Sequence, residues 1–188
     1  MRHTIRQAAA DLYNNEGPGG VSIRSIAKEA GVSVGTIYTY FGSLQGLMES
    51  LWSGSVIRYA EELYGVAQSI EDPLERIRKL MHSYIDFACS NPEIYRGVFL
   101  YVRPLKDEVS DKSPAESAVF ASLVIQAIKD GQASKVIKSL DPQNMAIMIW
   151  AGLHGCIALP NNFSRMQFGD TKEVLNLFVE QTVDGLSA

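Results

Sequence analysis

Apolar residues recur every three or four positions along most of the chain, and strict alternation of apolar with polar residues is nearly absent. That period predicts an all-α protein. Ile5, Ala9 and Leu12 make the inner stripe of a first helix, which stops at Gly17-Pro18-Gly19-Gly20. Ser22 is placed to cap a short helix through Ile23, Ile26 and Ala27 that ends at Gly31. Ser33 caps another from Val34 to about Tyr40, and Ser43 opens a longer one through Leu47, Leu51 and Trp52 to about Val66. Pro73 begins a helix carrying Leu74, Ile77, Leu80, Met81, Tyr84, Ile85 and Ala88 on one face, ended by Asn91-Pro92. Helices over 92–101, 114–130, 142–159 and 171–186, with a polar segment over 103–113, complete about nine.

The stretch Ser22 to Phe41, SIRSIAKEAGVSVGTIYTYF, has the form of a helix-turn-helix. A glycine permits the sharp turn, and small or apolar residues (Ala27, Val32, Ile37) let the two helices cross closely. Such a unit lays its second helix in the major groove of DNA. That helix offers hydroxyls at Ser33, Thr36 and Thr39, close approach at Val34 and Gly35, and phosphate donors at Tyr38 and Tyr40. Without arginine it should read thymine methyls and groove shape more than hydrogen-bonding patterns.

Charge adds little to this picture. The net charge is −4, and over residues 1–53 Arg2, Arg6, Arg24 and Lys28 balance Asp11, Glu16, Glu29 and Glu49. A basic nucleic-acid coat is excluded, and the salt dependence of DNA binding should be shallow per monomer. With 46% hydrophobic residues the 188-residue chain can build a packed core. Cys89 and Cys156 form no CxxC pair, which fits reduced thiols in the cytoplasm and no disulfide. The longest apolar run, Met145 to Leu159, is too short to cross a bilayer and predicts a helix surrounded by protein.

From Ile5 to Trp52 the chain resembles the DNA-binding domain of the TetR family of transcriptional regulators. The matching residues include Ala8-Ala9, Leu12-Tyr13, Gly17, Ser22 to Ala27, Ala30 to Ser33, Gly35 to Tyr38, Tyr40-Phe41, Ser43 and Leu47. The resemblance implies a three-helix DNA-binding domain over 1–46 and a helical ligand-binding and dimerisation domain over 47–188. It implies a homodimer paired through the helices near 142–159 and 171–186, double-stranded operator DNA as partner, and a small-molecule effector that releases a repressor. It carries DNA contacts to Ser22, Arg24, Gly35, Thr36, Tyr38 and Tyr40. Val21 and Leu44 depart from the phosphate-contacting threonine and lysine common in the family, and Tyr40 from a histidine. Trp150-x-x-x-His154-Gly155, with Asn91 to Arg96 and Phe99, resembles the regulatory domain of a subgroup named for a Trp-His-Gly motif.

Within the regulatory part, Tyr59, Met81, Tyr84, Phe99, Phe120, Trp150 and His154 are candidates to line an effector pocket. Any one of them alone reads better as ordinary core, while as a group some should face a cavity if the family logic holds. His82, Asp86 and His154 could be written as a metal set, but nothing in their spacing brings them together; a hydrogen-bonded His154 in a packed helix and no metal is the expectation. Val174, Leu175, Phe178, Val179, Thr182 and Leu186 define a broad face of the last helix. Catalytic and cofactor motifs are missing, so no enzyme and no cofactor is expected. The alternative reading is a helical ligand- or partner-binding module whose DNA-binding heads have decayed, motivated by Val21 and Leu44.

Overall fold

A computed structural model describes residues 1–99, 119–162 and 169–188, without the side chains of residues 18, 93, 97–99, 161 and 162. The described residues form nine α-helices and no strand. They are α1 (Arg2–Glu16), α2 (Ile23–Glu29), α3 (Val34–Phe41), α4 (Leu44–Ser69), α5 (Pro73–Ser90), α6 (Pro92–Phe99), α7 (Val119–Ala133), α8 (Pro142–Asn162) and α9 (Thr171–Leu186). A single 3-10 turn, Pro18–Gly20, joins α1 to α2. The predicted α4 runs three residues past Val66, and the predicted 100–101, 103–113 and 114–118 lie outside the described residues.

The chain gathers into two compact units. One holds Met1–Ile57 with the chain from Asn91 through α6; the other holds Arg58–Ser90 with the described residues from Val119 onward. In the first, Ile5, Ala8, Ala9, Ile26, Ala27, Ile37 and Leu47 form a small core drawn from all of α1 to α4. Val21 and Leu44, the two departures from the family pattern, pack against that core. Their side chains bury apolar surface where a phosphate contact would need a polar tip.

In the second unit α5 packs on α7 and α9, and α8 packs on α7, α9 and α5. Ile77, Leu80 and Tyr84 of α5, Val124 and Ile128 of α7, Leu153 of α8 and Val179 of α9 are buried at its centre. Arg76 of α5 reaches Asp130 of α7 at 2.6 Å. Arg78 of α5 pairs with Glu75 and, at 3.1 Å, with Glu180 of α9. Hydrogen bonds to those two carboxylates hold the Arg78 pKa above its ordinary value. A two-ended tie closes the C-terminus: Lys138 N–H donates to the Leu186 carbonyl at 3.0 Å and Ala188 N–H to the Val136 carbonyl at 3.1 Å.

Within the described residues of one chain, α8 is not covered on all sides. Ile147, Met148, Trp150 and Leu159 are exposed, Met148 by 73%. The neighbours α5, α7 and α9 pack on α8, and among the described residues these apolar side chains stay uncovered. Gly152 does permit close packing, because the Phe178 ring of α9 occupies the space a β-carbon would need. At Gly155 the corresponding space is open among the described residues.

Candidate functional site

Local chemistry sets the helix-turn-helix. The Ser22 hydroxyl accepts from Ser25 N–H at 3.0 Å, and Ser22 N–H donates to the Ser25 hydroxyl oxygen at 2.9 Å. This is a reciprocal cap with serine at the third position in place of the usual Glu or Gln. Ser25 also donates to the Gly20 carbonyl at 3.0 Å, which ties the preceding turn to α2. At the other end Val32 N–H reaches the Ala27 carbonyl at 2.9 Å and Gly31 N–H the Lys28 carbonyl at 3.3 Å. That is a Schellman closure, and it requires the left-handed backbone that Gly31 adopts at φ 66°. Val32 then folds back onto the core.

The second helix is capped by Ser33, whose hydroxyl accepts from Thr36 N–H at 3.0 Å. Of the eight residues in α3, Ile37 alone is buried. Val34, Tyr38 and Tyr40 are exposed by 39%, 51% and 40%. A helix so short, held by Ile37, by Phe41 packed on the same core and by its caps, projects most of its remaining surface outward. A β-carbon on Gly35 would meet only the Ser33 hydroxyl, at 3.7 Å, so the backbone there is open to approach.

The hydroxyls are less free than the sequence implies. Ser33 and Thr36 hydroxyls pair at 2.8 Å, leaving one O–H between them to donate outward. Thr39 donates to the Gly35 carbonyl at 2.9 Å, so it presents a methyl and acceptor lone pairs. No described residue hydrogen-bonds the Tyr38 or Tyr40 hydroxyl, and both stand as outward donors. Thr36 and Thr39, three positions apart, present methyls suited to thymine methyl contact, and Val34 stands exposed at the helix start.

Ser22 and Arg24 lie exposed at the start of α2, and Arg24 makes no ion pair with a described residue. Sequence reasoning missed Arg2. Its guanidinium lies 4.8 Å from the centre of the Phe41 ring and donates to the Tyr40 carbonyl at 3.3 Å. A cation is thereby fixed at the C-terminal end of the reading helix, where it also complements the helix dipole. No local sequence signal links residues so far apart.

Four of the seven candidate effector residues meet in the second unit. The Tyr84 hydroxyl and His154 Nδ1 lie 3.1 Å apart, joining α5 to α8. Trp150 lies 5.5 Å from the His154 ring and Phe120 lies 5.1 Å from Tyr84, centre to centre. Met81 is fully buried on the same helix as Tyr84. Tyr59 is apart from this group, stacked on Phe87 at 4.3 Å. Its hydroxyl is buried and has no hydrogen-bond partner among the described residues. Burial, and secondarily Glu62, pushes its pKa far up, so it stays a neutral donor. The Phe99 side chain lies outside the described residues.

His82, Asp86 and His154 do not assemble, and no group of three potential ligands among the described residues is placed to hold a metal. Burial pushes both cysteine thiols up, Cys89 with a further contribution from Asp86, so neither is a ready nucleophile. No helix among the described residues is long and apolar enough to cross a membrane.

Residues 5–51 match the family described as bacterial regulatory proteins, tetR family. Residues 77–182 match the tetracyclin repressor-like C-terminal domain. Among curated relatives, the uncharacterized HTH-type transcriptional regulator YobS of Bacillus subtilis is 29% identical over 110 residues, 56% of this chain and 54% of the relative. HTH-type transcriptional regulator BetI 1 of Chromohalobacter salexigens is 33% identical over 101 residues, 50% of this chain and 48% of the relative. The chain thus aligns with about half the length of the curated relatives it matches. The fold is shared over nearly the whole chain with the transcriptional regulator FadR from Bacillus subtilis, solved in complex with stearoyl-CoA. The TM-score is 0.74 at 20% identity, over 99% of this chain and 100% of the other. The fatty acid degradation regulator FadR from Bacillus halodurans is similar at 0.71 and 19%, over 99% and 100%. With both its N-terminal and its C-terminal parts matched, and the second match alone spanning more than half of its length, the chain belongs to the tetR family of bacterial regulatory proteins.

Proposed function

We propose that this protein is a homodimeric transcriptional repressor that binds an operator through α3 and is released by a small-molecule effector. The observation that carries the reading is the outward surface of α3: one residue buried, both ends fixed, two tyrosine hydroxyls unspent. Residues 1–46 act as the reading head and 47–188 as the regulatory part. Ser22, Arg24, Tyr38 and Tyr40 hold phosphates, while Val34, Gly35, Thr36 and Thr39 face the bases. Ser33 fixes the helix start and offers at most one donor of its own.

Two copies pair through α8 and α9. The support is their exposed apolar residues, Ile147 and Met148 on one and Val174 and Leu177 on the other. Reading helices about 34–36 Å apart would then require a roughly palindromic site. The effector docks against the Tyr84–His154 pair with Trp150 and Phe120, a polar bond set among aromatic rings. The Trp150 and His154 contact also supports placing the regulatory part with the Trp-His-Gly subgroup. The stearoyl-CoA complex of the FadR neighbour favours an effector with a large apolar part.

The test is a gel-shift titration of the protein against the DNA upstream of its own gene, at low and moderate salt. A discrete shift by the dimer, weakening gently as salt rises, is expected. No shift at any salt from a folded dimer would leave the decayed-head alternative as the better reading.

A further inference from the structure

We propose that a groove in the N-terminal unit, away from the outward face of α3, binds a small aromatic carboxylate. The groove lies between α1, α4 and α6 and encloses about 380 Å³. That is at the small end of the range for ligand pockets, about 300–1,000 Å³. Its long wall is one face of α1. His3, Arg6, Gln7, Ala10, Tyr13 and Asn14 line it at helical spacing, while Ile5, Ala8 and Ala9 on the other face build the core. Leu51 and Trp52 of α4 and Ile94 of α6 complete it.

Three features select the ligand. First, the lining contains two basic side chains, His3 and Arg6, and no acid. Arg6 is half-buried, forms no ion pair with a described residue, and spends only one nitrogen on a long 3.5 Å bond to the Leu51 carbonyl. A guanidinium with an open edge matches a carboxylate through two parallel bonds. Asp11, the acid of α1 nearest in sequence, is not part of the lining and accepts from Gln7 at 3.0 Å. Second, Tyr13 and Trp52 meet edge to face at 5.4 Å, an aromatic corner onto which a ring can pack. Third, the volume admits one or two fused rings but not a nucleotide. A simple inorganic anion would leave Trp52 and Ile94 unused, and a neutral hydrocarbon would leave Arg6 unmatched. Leu51 also packs on the core that holds Ile37. An occupied groove would therefore stiffen α1 against α4 behind the reading helix.

The experiment is isothermal titration of the full chain, without DNA, using 1-naphthoate and 1-naphthamide as probes. Naphthoate should bind saturably, with naphthamide weaker by about tenfold or more, the size of one charge-assisted pair. Arg6→Gln should weaken naphthoate by a similar factor with the melting temperature little changed, and Arg6→Lys should fall between. Trp52→Leu gives a second route to the same loss if Arg6→Gln is unstable. Equal affinity for acid and amide, or affinity unchanged in both Arg6→Gln and Trp52→Leu, would overturn the proposal. So would a loss seen in Tyr84→Phe but in neither groove variant, which would place the probe in the regulatory cluster instead. Because no DNA is present, the outcome is independent of whether α3 binds an operator.

Discussion

The two units expose apolar side chains of different kinds. In the first, Val34, Tyr38 and Tyr40 stand out from a single short helix, interleaved with the hydroxyls of Ser33, Thr36 and Thr39. In the second, the most exposed large apolar residues of α8 and α9, Met148, Leu177 and Ile147, offer hydrocarbon or thioether surface, with Trp150 and Leu159 also exposed on α8. The first surface suits a wet, polar groove whose walls carry phosphates and methyl groups. The second suits a dry contact with another protein surface. The cores differ in the same sense. Seven buried residues, three of them alanine, hold α1 to α4, whereas α5, α7, α8 and α9 share a broader interior of Ile, Leu, Val and Tyr. A small core makes the reading head the more fragile of the two.

The largest effect that would sharpen this contrast is expected from Ile37→Ala. Ile37 is fully buried and is the only buried residue of α3, with Phe41 packed against the same core. Its truncation should cost about 2–5 kcal/mol, enough to separate loss of the reading head from unfolding of the rest. Scanning calorimetry should show an early transition split from one that is unmoved. A single transition shifted as a whole would contradict the independence of the two units. Next comes Leu177→Glu, at a residue exposed by 62% on α9. It should leave the fold intact and raise the dimer dissociation constant by about tenfold or more, read by sedimentation equilibrium. An unchanged dimer would move the interface off this face. The smallest effect is expected from Tyr84→Phe, which deletes the bond to His154 between α5 and α8. Its cost of about 1 kcal/mol should fall on the later transition alone.

How much of this could be read in the sequence follows from the range of the interactions. The caps at Ser22, Ser33 and Ser43 and the closure at Gly31 each involve residues within five positions, and all stand where the pattern places them. The starts of α5 at Pro73 and α8 at Pro142 are equally local. The pairing of Tyr84 with His154 spans 70 positions, and Arg2 reaches Tyr40 across 38. Periodicity identifies a face but not what lies against it. For the same reason an all-round apolar α8 could not be told from a helix with one open side. Gly152 and Gly155 are alike in sequence, yet among the described residues only the first has a ring seated on it. The hydroxyls of α3 were legible as residues, but their mutual hydrogen bonds were not.

The most direct test of the account uses Gly35→Leu. A side chain at that position has room in the folded protein, since its β-carbon would meet only the Ser33 hydroxyl at ordinary contact distance. If α3 enters a duplex with its backbone close to the bases, the added bulk must block it. Fluorescence anisotropy on the upstream DNA should then show affinity falling about a hundredfold or more, equivalent to about a fifth of a typical specific binding energy. Melting temperature and dimer content should hold steady. Affinity equal to that of the unaltered protein would mean that this surface of α3 does not meet DNA.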